Sequence, residues 1–114
     1  MQWLKDRHVR TLLIGPTPEF DLRLPRLLAQ TNDLQDKAAI QNHVVRGIDQ
    51  LDRLIGRSVG GTLGVRYLSA DKALCPRGVC DVFAGDAPIY YDTGRFTKAG
   101  SMMFVERLGP LIQE

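Results

Sequence analysis

The segment Ile89 to Gly100 (Ile-Tyr-Tyr-Asp-Thr-Gly-Arg-Phe-Thr-Lys-Ala-Gly) gathers the groups best suited to bind or polarise a substrate. It offers a carboxylate at Asp92, a guanidinium at Arg95 and aromatic rings at Tyr90, Tyr91 and Phe96. A guanidinium stays protonated at any working pH, so Arg95 can attract an anion but cannot accept a proton. Nucleophilic catalysis needs a serine or thiol beside a base. The serines are Ser58, Ser69 and Ser101, and none is expected on a strand-to-helix turn of the kind such a nucleophile occupies. His43 reads as a partly exposed structural residue within a helix, and His8 carries no motif. Cys75 and Cys80 lie too far apart for a Cys-x-x-Cys redox or zinc motif, and no second Cys or His pair completes a metal site. Metal and cofactor are therefore expected to be absent. Pro76 and Gly78 favour a small disulfide-closed loop, against the alternative of two unrelated small buried residues.

These groups must be positioned by a modest number of elements. Val9 to Gly15 is β-branched and nearly continuously apolar, which predicts a strand buried on both faces. Gly15-Pro16-Thr17-Pro18 ends it, since proline gives no N–H to a ladder. Phe20 to Leu28 reads as an irregular surface excursion that covers apolar surface and includes a short helical turn. Thr31-Asn32-Asp33 is a helix-start cluster, and the apolar spacing from Leu34 to Ile55 predicts one long helix over 33–55, stopped by Gly56. Asp49 and Arg53 can pair across one turn of it. Gly64 to Leu68 predicts a second strand, parallel to the first in a βαβ unit. The stretch 69–91 is expected to be irregular, with Ala87 to Tyr91 as a short extended piece. Thr97 should cap a closing helix with Ala99, Met102, Met103, Val105, Leu108 and Ile112 on its apolar face, ended or bent by Pro110.

The whole chain supports one domain: 114 residues, 15 Lys+Arg against 13 Asp+Glu and 44% hydrophobic residues leave no room for a second core. A formal charge of +2 with scattered basic residues argues against nucleic acid as a partner. No apolar run approaches the roughly 18 residues of a membrane span, and the polar, charged opening is unlike a signal peptide.

The block 89–100 resembles the last block of SGNH-type hydrolases and acyltransferases. It is most similar to the extracytoplasmic SGNH domain at the C-terminal end of bacterial acyltransferase-3 membrane proteins, where Tyr-Asp, two residues and His-Leu-Ser-x-x-Gly recur. Leu13-Ile-Gly-Pro-Thr-Pro-Glu-Phe20 with Leu24-Pro-Arg26 resembles that family's strand-to-loop segment, and Cys75 and Cys80 resemble its paired cysteines. The resemblance implies an α/β fold: part of a three-layer α/β/α sandwich, with a small parallel sheet in a βαβ core and a C-terminal helix. Residues 1–114 then form a single SGNH-like domain, its C-terminal portion only. The activity implied is transfer or hydrolysis of an acyl ester on a carbohydrate. Asp92 falls at the family's aspartate, whereas Arg95 replaces its histidine, and no Gly-Asp-Ser block is present. An Asp92–Arg95 ion pair would then keep the loop's shape without its catalysis; the alternative makes Asp92 a turn former and Arg95 a surface charge.

The expectation is therefore a truncated or degenerate, catalytically incomplete relative of carbohydrate O-acyltransferases. The alternative is a non-catalytic carbohydrate-binding or structural module, with Tyr90, Tyr91 and Phe96 as a stacking edge and Arg95 available for an acidic sugar; core packing is the favoured reading of these three aromatics. The partners expected are a carbohydrate and, through an open sheet edge, another copy of the chain or a missing N-terminal half. The parent domain is expected outside the cytoplasmic membrane, and a chain without a signal would stay in the cytoplasm with reduced thiols.

Overall fold

The computed structural model describes residues 10–30, 37–62 and 64–112. Trp3, Leu4, His8, Val9, the cluster Thr31-Asn32-Asp33 and Leu34 lie outside the described residues. The architecture is mixed α/β around a small parallel sheet, as the order of elements predicts. Strand β1 (Thr11–Ile14) pairs in parallel with β2 (Val65–Leu68), in the register Thr11 to Val65 through Ile14 to Leu68. Two flanking bonds, Thr11 N–H to the Gly64 carbonyl and Gly15 N–H to that of Leu68, extend the ladder.

β1 is not buried on both faces. Leu12 and Ile14, which share one face of the strand, are 38% and 44% exposed, so that face is uncovered. A continuously apolar run thus emerges as a half-covered strand.

The segment expected to be a surface excursion forms much of the core instead. Leu24, Leu27 and Leu28 make an i, i+3, i+4 stripe on helix α1 (Leu24–Gln30). With Phe20 they pack against Ile40, Leu74, Ile89, Tyr90 and both cysteines. Pro25 sits in the first turn of α1, where its missing N–H has no intrahelical partner to lose.

The single long helix is also corrected. It is two helices among the described residues, α2 (Lys37–Gln41) and α3 (Ile48–Val59). Between them the backbone is taken by β-type pairing with residues 19–21. Asp21 N–H donates to the His43 carbonyl and Val45 N–H to that of Glu19, around a Phe20–Val44 bridge. Gly47, at φ +96°, turns the chain into α3, a conformation that costs glycine little. Gly56 does not stop α3; it lies inside it against the Tyr67 ring. The Asp49–Arg53 pair forms at 3.4 Å.

The stretch after β2 is more regular than expected. Helix α4 (Ala70–Leu74) is capped by Ser69, whose Oγ accepts from the Lys72 N–H at 3.0 Å. A 3₁₀ turn at Pro76–Gly78 follows, then an antiparallel pair β3 (Phe83–Ala84) and β4 (Ala87–Pro88). Helix α5 (Lys98–Ile112) starts where the Thr97 hydroxyl accepts from the Gly100 N–H at 3.0 Å, as predicted. It runs two residues past Pro110. Its inner face is Gly100, Met103, Phe104 and Leu108, whereas Met102, Val105 and Ile112 are exposed, so the helix is rotated from the expected orientation. Among the described residues no helix is long and apolar enough to cross a membrane.

Candidate functional site

The Asp92 loop is held between two neighbours. On one side, Phe20 N–H donates to the Thr93 carbonyl at 2.9 Å and Leu24 N–H to that of Asp92 at 3.0 Å. On the other, Tyr91 N–H donates to the Arg95 carbonyl and Thr97 N–H to that of Ile89, closing the 90–96 turn onto the start of α5. The loop is thus set by the Pro18–Leu24 segment and by the helix cap.

Within the loop, Asp92 is fully engaged. Its Oδ1 accepts from the backbone N–H groups of Gly94 at 2.9 Å and Arg95 at 2.7 Å, and its Oδ2 accepts from Arg95 Nε at 2.5 Å. The Gly94 and Arg95 amides, and then the Arg95 side chain, hold the carboxyl down at about 2. The Arg95 pKa moves the opposite way, raised by its hydrogen bond to Asp92. The guanidinium also lies over the Tyr91 ring, 5.0 Å from its centre. The ion pair and the turn anticipated as alternatives are therefore one structure. Arg95 is committed to Asp92 and Tyr91 rather than free.

The three aromatics of the block separate. Tyr90 is buried, donates its hydroxyl to the Pro18 carbonyl at 2.6 Å, and meets Phe20 edge-on and Phe96 at 5.2 Å. Burial pushes its phenol up to about 12. Phe96 stacks on Phe104 at 5.1 Å. Core packing, the favoured reading, thus holds for Tyr90 and Phe96, and only Tyr91, 51% exposed, is left of the alternative stacking edge.

Cys75 and Cys80 form the disulfide, with S–S 2.04 Å. The loop it closes is clasped by Gln41, whose side-chain amide donates to the Cys80 carbonyl and accepts from the Cys80 N–H, each at 2.9 Å. The staple therefore joins α2 to the approach to the Asp92 loop.

Ser69 does sit between a strand and a helix, contrary to the sequence reading. Its hydroxyl is spent there: it donates to Asp52 Oδ2 at 2.6 Å and caps α4. Ser58 donates to the Leu54 carbonyl within α3, and Ser101 lies exposed on α5. His43 is partly exposed as expected, and its Nδ1 is 2.7 Å from Asp21 Oδ1. That contact between residues 22 apart follows from the 19–21/43–45 pairing, and no local pattern announces it.

Residues 1–110 match the family model of the SGNH domain (fused to AT3 domains). Among solved structures, the chain is similar to the periplasmic domain of the lipopolysaccharide acetyltransferase of Salmonella ser. Paratyphi A, with a TM-score of 0.72 and 27% identity. The match covers 92% of this chain and 42% of that one, so this chain spans less than half the length of its solved neighbour. No curated protein matches.

Proposed function

This chain belongs to the SGNH domain family, and on that premise we propose that it is the C-terminal portion of a domain related to carbohydrate O-acyltransferases, in a form that does not itself transfer acyl groups. One observation carries the reading: the carboxylate at the family's aspartate position has its oxygens taken by Gly94 N–H, Arg95 N–H and Arg95 Nε. In a nucleophile–base pair this carboxylate would orient an imidazole that accepts the serine proton. Here its partner is a permanent cation, and the three serines carry no base. Loss of one member of such a pair commonly costs several orders of magnitude in rate.

The test is hydrolysis of an aryl acetate by the purified chain. The expected result is no rate above background, with Arg95 unchanged or as Arg95→His. Activity in Arg95→His once an N-terminal half with a Gly-Asp-Ser block is added supports the alignment. Activity with Arg95 unchanged overturns the proposal.

A second reading, a carbohydrate-binding surface without catalysis, is favoured by the exposed ring of Tyr91 beside the Pro18–Leu24 segment. Titration with neutral and acidic oligosaccharides tests it, and the absence of binding to either set removes it.

A further inference from the structure

A groove of about 720 Å³ opens between α1 and the Asp92 loop, with Asp21, Arg23, Arg26, Tyr91 and Thr93 on its walls. Its base is rigid, because the backbone bonds from Phe20 and Leu24 to residues 93 and 92 run beneath it and Leu24 is fully buried. Its size is that of a small-molecule cleft.

The charge on its walls is unbalanced. Arg53, Arg95 and Arg107 are each satisfied by a carboxylate, Asp49, Asp92 and Asp81. Arg23 and Arg26, three residues apart where α1 begins, are exposed and form no ion pair among the described residues. Asp21 is the one carboxylate among the described lining residues, and it is hydrogen-bonded to His43. Two guanidiniums that form no ion pair among the described residues thus line one wall, and each can donate to an anion. The opposite wall supplies the half-exposed Tyr91 ring, an apolar body with a polar tip.

We propose that this groove binds an anionic sugar, with the carboxylate or phosphate held by Arg23 and Arg26 and the apolar face of the sugar ring against Tyr91. The proposal rests on the carbohydrate reading above and names its chemical class. It also moves the anion contact from Arg95, whose Nε is bonded to Asp92, to the two arginines that form no ion pair among the described residues.

The test is a binding titration of the full chain, followed by amide chemical shifts. Its ligands are a glucuronate-containing oligosaccharide, the matching neutral oligosaccharide, glucose 6-phosphate and inorganic phosphate. An anionic sugar should bind at least about tenfold more tightly than the neutral one, the order expected of a charge-assisted contact. The tighter of the uronate and phosphate arms identifies the anion. Arg23→Gln with Arg26→Gln should abolish the preference, Arg23→Lys with Arg26→Lys should keep part of it, and Tyr91→Ala should weaken every sugar. All these positions are exposed, so circular dichroism should stay unchanged. Equal binding of acidic and neutral oligosaccharides, or a preference that survives the double Gln variant, overturns the anion site and leaves the carbohydrate reading standing. Inorganic phosphate binding as tightly as glucose 6-phosphate overturns the sugar contact. Binding of no sugar overturns both.

Discussion

The hydroxyl of Tyr67 on β2 donates a 2.5 Å hydrogen bond to Oδ1 of Asp52, the one buried charged residue of α3. Ser69 completes the carboxylate's shell at 2.6 Å, so a strand, a helix and a helix cap meet on one carboxylate. A buried charge is tolerated only when its lone pairs are used, and removing a partner exposes the desolvation cost of what is left. Tyr67→Phe is expected to destabilise by about 1–3 kcal/mol, and Asp52→Ala by more, since it strands two hydroxyls. Urea unfolding measures both. An unchanged midpoint for Tyr67→Phe would show that the pair contributes nothing net.

The same pair predicts an alkaline effect. Burial first, then the bond to Asp52, raises the Tyr67 phenol above its ordinary value of 10.0. A group whose pKa is higher folded than unfolded contributes fully below its unfolded value and loses that contribution as pH rises beyond it. The stability gap between the wild type and Tyr67→Phe should therefore narrow above about pH 10. Tyr90, pushed up to about 12 by burial, is present in both proteins and leaves the difference untouched. A gap that widens with alkali contradicts the assignment.

Asp92 behaves in the opposite sense. Its carboxyl, at about 2 against an ordinary 3.8, stabilises the loop at any pH above about 3.8 and loses that contribution as pH falls through about 2. The Gly94 and Arg95 amides outweigh the Arg95 side chain among the causes. Arg95→Gln should accordingly raise the Asp92 midpoint only part of the way towards 3.8, followed by carboxyl carbon shifts. Return to the ordinary value would mean that the guanidinium alone holds the carboxylate.

Replacing both Cys75 and Cys80 by serine removes a closure of only a few residues, for which loop entropy suggests about 2 kcal/mol. Gln41 should add to this, because its side chain satisfies both backbone groups of Cys80. Thermal unfolding of the double Ser variant, of Gln41→Ala and of the triple variant resolves the two contributions. Strict additivity would show that the clasp does not depend on the staple.

Local signals carried the legible part of this molecule. The apolar strands, the Thr97 cap, the Asp49–Arg53 spacing and the Cys-Pro-x-Gly loop each act within a few residues, and each forms. What escaped depends on contacts between distant segments. The break at residues 42–47 exists because residues 19–21 pair there, which also creates the Asp21–His43 contact. The burial of Asp52 requires Tyr67 and Ser69, 15 and 17 residues away. In α1, the leucines at 24, 27 and 28 share a face only once the segment is helical, which a first-turn Pro25 permits. In the site, Asp92 and Arg95 were found by resemblance, while Arg23 and Arg26 matter only because the loop folds beside them.

Two glycines of α5 provide the last prediction, since the same change should act very differently at two places on one helix. A Cβ on Gly100 would lie 2.1 Å from the Ile89 carbonyl oxygen and 2.9 Å from its carbon, both backbone atoms that cannot swing aside. Gly100→Ala must push α5 away from the strand that ends in the Asp92 loop, at a cost of about 1–3 kcal/mol. Beyond its own helix and chain neighbours a Cβ on Gly109 meets nothing within 4 Å. The helical advantage of alanine over glycine is opposed there by Pro110, which disfavours the helical conformation of a preceding residue that carries a Cβ. Gly109→Ala should therefore change stability by less than about 1 kcal/mol. Urea midpoints of the two variants check this directly. If the two variants lose the same stability, close approach to Ile89 is not what requires glycine at position 100, and the packing of α5 behind the site is looser than its geometry implies.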